Sequence, residues 1–382
     1  MILEFRRLVR NGIRIVVGPM QMSTEFTQIG AARTDAHAGT GAKPFWSVAL
    51  PTYNVDADLF ERTVRSVLDQ DPGPTEMEIF VSDNQSTNGI AERVIERLAP
   101  DRVAIFRNAR NLGLAGNWNA CVSRARGEWV HILHADDIVL PGFYERLEVG
   151  AAASSEVGVL LCQHAFIDEH DRWTSISQLE RHEPGVLEGW LEKIATGQRV
   201  QCPAVVVRRE VYDLVGRFRD DLLFVVDWEM WVRIASAGVK WWYEPTVLAG
   251  YRIHTKSETT RLRRSGQTTN DLDRGIRAIQ SYVPARLRER VGEALRKSAG
   301  DTCLRDADEA IRRGSLREAM GLLNEACRLR PALRFASPFL LYSRWIVLEA
   351  IRRVWRRHPP TVQSGRPETE QPAHLETASH TR

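Results

Sequence analysis

A chain of 382 residues with 43% hydrophobic and 26% charged side chains has the make-up of an ordinary globular protein. It is long enough for two domains, or for one large α/β domain with an appendage. A net charge of +3 is too small at that size to favour nucleic acid as a partner, and the five cysteines (Cys121, Cys162, Cys202, Cys303, Cys327) are scattered with no CxxC pair, which argues against a disulfide framework or a zinc site and suits reduced thiols in a cytoplasmic protein.

Nowhere does the chain reach the ~18 uninterrupted apolar residues of a membrane-spanning helix. Residues 1–44 are expected to be a leader, poorly ordered or amphipathic: Arg6, Arg7, Arg10 and Arg14 break up any signal-peptide core, and residues 23–43 show no period. Ordered patterning starts at Trp46. "WSVALPTYN" is a short apolar run closed by Pro51 and Asn54, as expected of a strand buried on both faces. A helix follows in "DADLFERTVRSVLDQ", with Leu59, Val64, Val67 and Leu68 at helical spacing and Asp56 or Asp58 as its cap. The alternation continues with strand "EIFVSDN", helix "GIAERVIERLA", strand "VAIFRN", helix "GLAGNWNACVSRAR" and strand "WVHILHADD". Further on, "VGVLLCQHAF" and "CPAVVVRR" read as strands, "DWEMWVRIASAG" as a helix closed by Gly238, and "KWWYEP" and "TVLAGYRIH" as two more strands. Strands alternating with helices at crossover spacing imply a doubly wound, mostly parallel, Rossmann-like sheet.

From about Asp271 the pattern turns helical. "ADEAIRRGSLREAMGLLNEACRLRP" has the punctuation of one tetratricopeptide-like helix pair. The stretch "FLLYSRWIVLEAIRRVWRRH" reads as a basic amphipathic helix, either docked on the protein or lying at a membrane interface. The tail from His358 is rich in Pro, Glu and Thr and is expected to be disordered. The expected organisation is therefore a leader at 1–44, a catalytic-type α/β domain at 45–258, a helical extension at 259–357 and a tail at 358–382.

In a doubly wound sheet, ligands sit beyond the carboxyl ends of the strands. Four strand ends carry polar clusters: Thr52–Tyr53–Asn54, Asp83–Asn84, Asn108 to Asn111, and Asp136–Asp137. Adjacent carboxylates at a strand end suit a hard divalent cation, Mg²⁺ or Mn²⁺, which takes one or two protein carboxylates and leaves its other positions to phosphate and water. The competing reading is a cap on the turn before Pro141. Asp83 either accepts the N3–H of a uracil-type base or makes a simple Asx turn. "LPTYN" has none of the glycines of a phosphate-cradling loop, so a diphosphate bound here would need a metal to neutralise it. Asp227, at the start of "DWEMWVRIA", is either an N-cap or a carboxylate kept ionised as a general base. Trp228 and Trp231 beside it suit a sugar face or the core equally. His254, with Arg252 and Lys256, forms a cationic or metal-binding patch at the last strand end.

With these pieces in place the chain resembles a family-2 glycosyltransferase of the GT-A fold from about Trp46 to Ser257. The resemblance is carried by "SVALPTYN", "SVLDQ", "EIFVSDNQST", "RNARNLGLAGNWNAC", "GEWVHILHADD", "DWEMWVRIA" and "YRIHTKSET", in the family's order. It implies that Pro51, Thr52, Tyr53, Asn54, Asp83, Asn84 and Asn117 line a nucleotide-sugar pocket, and that Asn111 and Gly113 shape its wall. Asp136 corresponds to the metal-binding acid of an Asp-x-Asp motif with Asp137 next to it, Asp227 to the general base, and His254 to a late metal or diphosphate contact. Two positions depart from the pattern. His134 stands where many members carry the first acid, and Val226 where an acid often precedes the base.

The resemblance implies an inverting, metal-dependent transfer from a nucleotide-diphosphate sugar, with UDP-sugars favoured, to a saccharide or lipid-linked acceptor. It further implies a place in bacterial cell-surface polysaccharide or glycolipid synthesis, in the cytoplasm or peripherally at the inner membrane face. The alternatives are a sugar-phosphate nucleotidylyltransferase, against which the missing glycine-rich loop speaks, and a catalytically degenerate nucleotide-sugar-binding or scaffold protein.

Overall fold

The computed structural model describes residues 43–254, 257–264 and 268–335. The leader up to residue 42, the basic amphipathic stretch and the tail lie outside the described residues, as does Lys256.

The elements in chain order are β1 (Trp46–Thr52), α1 (Ala57–Leu68), β2 (Met77–Asp83), α2 (Ile90–Leu98), β3 (Val103–Arg107), α3 (Gly113–Arg124), β4 (Trp129–Ile132), β5 (Ile138–Val139), α4 (Phe143–Ala153), β6 (Val157–Ile167), β7 (Trp173–Ile176), β8 (Gly185–Val186) and α5 (Trp190–Ala195). After a short 3₁₀ turn (Cys202–Ala204) come β9 (Val205–Arg208), α6 (Arg209–Val215), α7 (Val226–Ser236) and β10 (Lys240–Arg252). The helices α8 (Glu258–Arg264), α9 (Thr268–Tyr282), α10 (Ala285–Arg312) and α11 (Leu316–Leu329) follow.

One mixed sheet of order β3-β2-β1-β4-β9-β6-β10-β5 organises this array, with β7 on β6 and β8 on β10. β1 pairs in parallel with β2 and β4, and β2 with β3. β9 runs antiparallel to both β4 and β6, so β6 and its parallel partner β10 point the same way as β1 to β4. The carboxyl ends of six strands, together with the amino end of β9, thus reach one edge of the sheet. This is the doubly wound, largely parallel α/β architecture that the sequence pattern predicts, followed by helices.

Local chemistry explains most of the elements. α1 starts at Asp56, whose carboxylate accepts the Asp58 N–H at 3.2 Å, and it buries Leu59, Phe60, Val64 and Val67 against the sheet. All seven residues of β2 are buried, as the uninterrupted apolar run requires of a strand covered on both faces. Trp129, Trp228 and Trp241 are fully enclosed in the core. Two sequence expectations change. The two strands read in 240–254 are one, β10, bent by register shifts around Pro245. Trp228 and Trp231 face the core and present no sugar platform; each is under 4% exposed.

Among the described residues, those up to Leu295 form one compact unit and those from Arg296 a second. The first unit runs past residue 258 because α9 buries Leu272, Ile276 and Ile279 and packs on α7. In the second unit, the end of α10 and α11 turn about Gly314 and enclose Ala307, Ala310, Ile311, Ala319, Leu322 and Leu323.

Candidate active site

The strand ends converge, but their polar residues do different work. Thr52, at the end of β1, is buried and donates from Oγ1 to Asp83 Oδ1 at 3.4 Å. Asp83 itself is fully buried. It accepts the Ser86 N–H and pairs with the Arg107 guanidinium at 3.1 Å, so the Asx-type turn is present. Tyr53 stands 54% exposed beside it, next to Asn54, which holds a left-handed backbone and accepts the Thr87 N–H at 2.8 Å. Pro51 lies within β1 in register with Ser82.

Asn84 and Asn117 bind within the protein. Asn84 donates to Asn111 Oδ1 and to the Gly113 carbonyl, and accepts from Asn108 and the Leu112 N–H. Asn117 donates to the Ser82 carbonyl and accepts from Ser82 Oγ and Asn108 Nδ2. Arg124 closes this network on Ser82 and Asn108. These two asparagines shape the 108–113 loop: Asn84 spends both amide donors and both acceptor positions within the protein, whereas Asn117 keeps one amide N–H. Gly113 takes φ +73°, a left-handed conformation that L side chains resist, and its carbonyl turns back onto Asn84.

The opposite side of the edge holds the charged centre. His134, Asp136 and Asp137 follow β4, and their ligand-type atoms lie within 4.8 Å of one another. Asp136 is half-buried and receives His254 Nε2 at 2.9 Å from beyond the end of β10. Asp137 is buried, and its Oδ1 accepts the Arg252 N–H at 2.8 Å while Oδ2 stands 3.5 Å from His134 Nδ1. Its carbonyl is held by Thr63 of α1 at 2.7 Å. Burial and the neighbouring carboxylate raise the Asp137 pKa. Burial acts the same way on Asp136, but the His254 hydrogen bond and the charge of His134 outweigh it and lower that pKa. Burial opposes the His134 imidazolium, yet Cys202 and Asp137 against it raise its pKa well above the usual histidine value.

Arg252 changes role relative to the sequence reading. Its side chain is fully buried. Nε donates to the Asp136 carbonyl and Nη1 to the Asp168 carbonyl, both at 2.6 Å, and Nη2 pairs with Asp171 at 2.5 Å. It is a clamp on the 136–137 turn and offers no free cation to a diphosphate. Arg252→Ala strips two carbonyls and a carboxylate of a buried partner, so it is expected to lower stability by about 3 kcal/mol. Urea denaturation checks this, and a midpoint equal to that of the parent chain would remove the clamp from the account.

Asp227 completes the site from α7. The helix starts at Val226 with Val225 at the cap position, so Asp227 lies in the first turn and is not the N-cap. Its Oδ1 accepts the Trp228 N–H at 2.7 Å, and its Oδ2 accepts Gln198 Nε2 at 3.0 Å. The Cys202 thiol, 4.0 Å from Oδ2, stands between Asp227 and His134. Burial pushes the Asp227 pKa up to about 6. Tyr251, at the end of β10, feels Asp136, Asp137 and Asp227 together, and burial followed by these charges raises its pKa. Gln198 and Cys202 have no motif to mark them; Tyr251 opens the "YRIHTKSET" stretch, but nothing in its residue type singles it out there.

The trio fits a divalent cation by its chemistry. Asp137 Oδ2 and His134 Nε2 are buried atoms without a hydrogen-bond partner, and two carboxylates with an imidazole are donors that Mn²⁺ accepts more readily than Mg²⁺. His134, a departure from the Asp-x-Asp pattern, thus remains in the group, whereas His254 reaches it through Asp136.

A doubly wound sheet with a carboxylate-rich carboxyl edge defines an α/β enzyme class that binds its ligands at that edge. Glycosyl transferase family 2 matches residues 47–216. An uncharacterized protein of Mycobacterium tuberculosis is 31% identical over 244 residues, which cover 61% of this chain and 75% of that protein. A putative teichuronic acid biosynthesis glycosyltransferase, TuaG, of Bacillus subtilis is 29% identical over 184 residues, 45% of this chain and 71% of its own. Among solved structures, the mannosyltransferase PcManGT from Pyrobaculum calidifontis, in complex with GDP-Man and Mn²⁺, aligns with a TM-score of 0.48 at 20% identity, over 83% of this chain and 89% of its own. The chain belongs to glycosyl transferase family 2, and its fold is mixed α/β around one largely parallel sheet.

Proposed function

We propose that the protein transfers a sugar from a nucleotide-diphosphate donor, with a UDP-sugar favoured, to an acceptor hydroxyl with inversion at the anomeric carbon. The observation that carries this reading is the meeting of Asp227 with the His134, Asp136 and Asp137 group at one sheet edge. Thr52, Tyr53 and Asp83 line the side where the nucleoside would lie, and the Asn84–Asn117 network holds the wall. His134, Asp136 and Asp137 would hold Mn²⁺ or Mg²⁺ with His254 beside them; when bound, the cation neutralises charge on the diphosphate. Asp227 takes the proton from the acceptor hydroxyl as that oxygen attacks the anomeric carbon, and the bond to the diphosphate oxygen breaks on the opposite face. Gln198 keeps the base oriented. One displacement with one base inverts the configuration.

A relative named for teichuronic acid biosynthesis supports a place in cell-surface polysaccharide synthesis, where the acceptor would be a saccharide or a lipid-linked molecule. Five free thiols support a cytoplasmic site of action, and the basic stretch near residues 338–357 supports peripheral contact with the inner membrane face. No helix among the described residues is long and apolar enough to cross a membrane.

Calorimetric titration with UDP, GDP and dTDP, each with Mn²⁺ and with EDTA, tests the reading. Binding of one nucleotide that depends on the metal is the expected result and names the donor class. Absence of binding to all three by folded protein would move the assignment to a scaffold protein.

A further inference from the structure

The proposed base stands two residues beyond a loop whose amides are gathered by a carboxylate from much later in the chain. α7 begins without a side-chain cap, because Val225 offers no acceptor. The preceding amides converge instead on Asp271 of α9: Leu223 N donates to Oδ1 at 2.9 Å, and Phe224 N and Val225 N donate to Oδ2 at 2.7 and 3.2 Å. Asp271 is 1% exposed and also receives Arg274 at 3.0 Å. Three amides and a guanidinium on a buried carboxylate make a strong, directional set of charge-assisted bonds.

Two further contacts register α9 against α7. A Cβ at Gly275 would stand 2.5 Å from Val225 Cγ2, so the helix backbone rests directly on the loop. At its far end, Tyr282 donates to the Glu229 carbonyl at 3.2 Å and to its carboxylate at 3.1 Å, and Glu229 is itself buried and paired with Arg233. Asp227 lies between these two anchor points, at 225 and 229. Neither α7 nor α9 falls within residues 47–216, the part that matches the family.

We propose that Asp271 is a positioning residue for sugar transfer: by holding the 223–225 loop it fixes the Asp227 carboxylate over the acceptor hydroxyl. This rests on Asp227 being the base. A base moved by roughly 1 Å loses about 100-fold in rate, while a donor bound at the other strand ends is untouched.

The test uses the full-length chain as Asp271→Ala, Asp271→Asn and Gly275→Ala, beside Asp227→Asn. Release of nucleoside diphosphate to water is followed from the nucleotide sugar whose diphosphate the chain binds, and that diphosphate is titrated calorimetrically with Mn²⁺. Asp271→Ala is expected to lower kcat 10- to 100-fold with donor KM and nucleotide Kd within twofold of the parent. Asp271→Asn should recover part of the loss, since its carboxamide oxygen still accepts amides. Gly275→Ala keeps the carboxylate but wedges the helix off Val225, and should show the same kcat-only defect. A folded Asp271→Ala protein with parental kcat overturns the proposal, as does a defect carried by KM alone. Should Asp271→Ala not fold, parental kcat in both other variants overturns it equally. Turnover retained in Asp227→Asn strikes down the base assignment and this proposal with it.

Discussion

Asp227→Asn is expected to lower transfer at least 100-fold while leaving the Kd for the nucleoside diphosphate within about twofold, the range typical of losing a positioned general base. The substitution is nearly isosteric. Asparagine still accepts the Trp228 N–H through its oxygen, and the Gln198 amide can turn its own oxygen toward the new amide nitrogen. What disappears is the ability to take a proton. In the parent chain a base must be ionised to act, and burial holds this carboxyl at about 6. The rate should therefore fall as pH is lowered through about 6, and whatever rate remains in the asparagine variant should lack that limb. A pH–rate profile on both proteins, with calorimetry on both, decides the matter. Turnover surviving in the variant, or nucleotide binding lost with it, would remove Asp227 from this role.

Asp136→Ala is expected to abolish the Mn²⁺-dependent part of nucleotide affinity. The loss should exceed the roughly 10- to 100-fold that removal of an outer partner of a metal site costs. Asp136 is the informative choice because it is half-buried and its partner, His254, can turn to water. Asp137 is a poorer probe, since it also anchors the Arg252 N–H and its removal would disturb the clamp. Titration of UDP, GDP and dTDP with and without Mn²⁺, beside thermal unfolding of the same sample, separates lost binding from lost fold. Unchanged metal dependence in a folded Asp136→Ala protein would exclude the trio as the cation site.

Much of this edge was legible in the sequence because each strand end is a local event. Apolar runs halted by Thr52, Asp83, Asn108 and Asp136 announce both a strand and its polar terminus, and the alternation with helices says that these termini share an edge. The partners of those residues were not legible. Arg252 looks like any basic residue near a histidine. Only the return of β10 alongside β6, and the turn carrying Asp168 and Asp171 across its end, reveal a buried guanidinium. Asn84 and Asn117 look like ligand contacts by type. The structure adds that both also build the protein, Asn84 holding the 108–113 loop and Asn117 the end of β2, which depends on α3 lying beside β2. Asp favours the cap position, but the local spacing around Asp227 cannot reveal that Asp271, 44 positions further on, gathers the amides there.

The register shifts in β10 between Glu244 and Ala249 bear on how this gene can change length. Side chains alternate faces along a strand, so the extra residues at the bend set which way everything after them points. Deleting one residue there would exchange the faces of Tyr251 and Arg252, turning the guanidinium into the cleft and the phenol beneath the 136–137 turn. An insertion of one residue would do the same. The bend should therefore accept changes of residue type but no single-residue change in length, and a scan of one-codon insertions and deletions across 240–252 would show a gap in tolerance at that point.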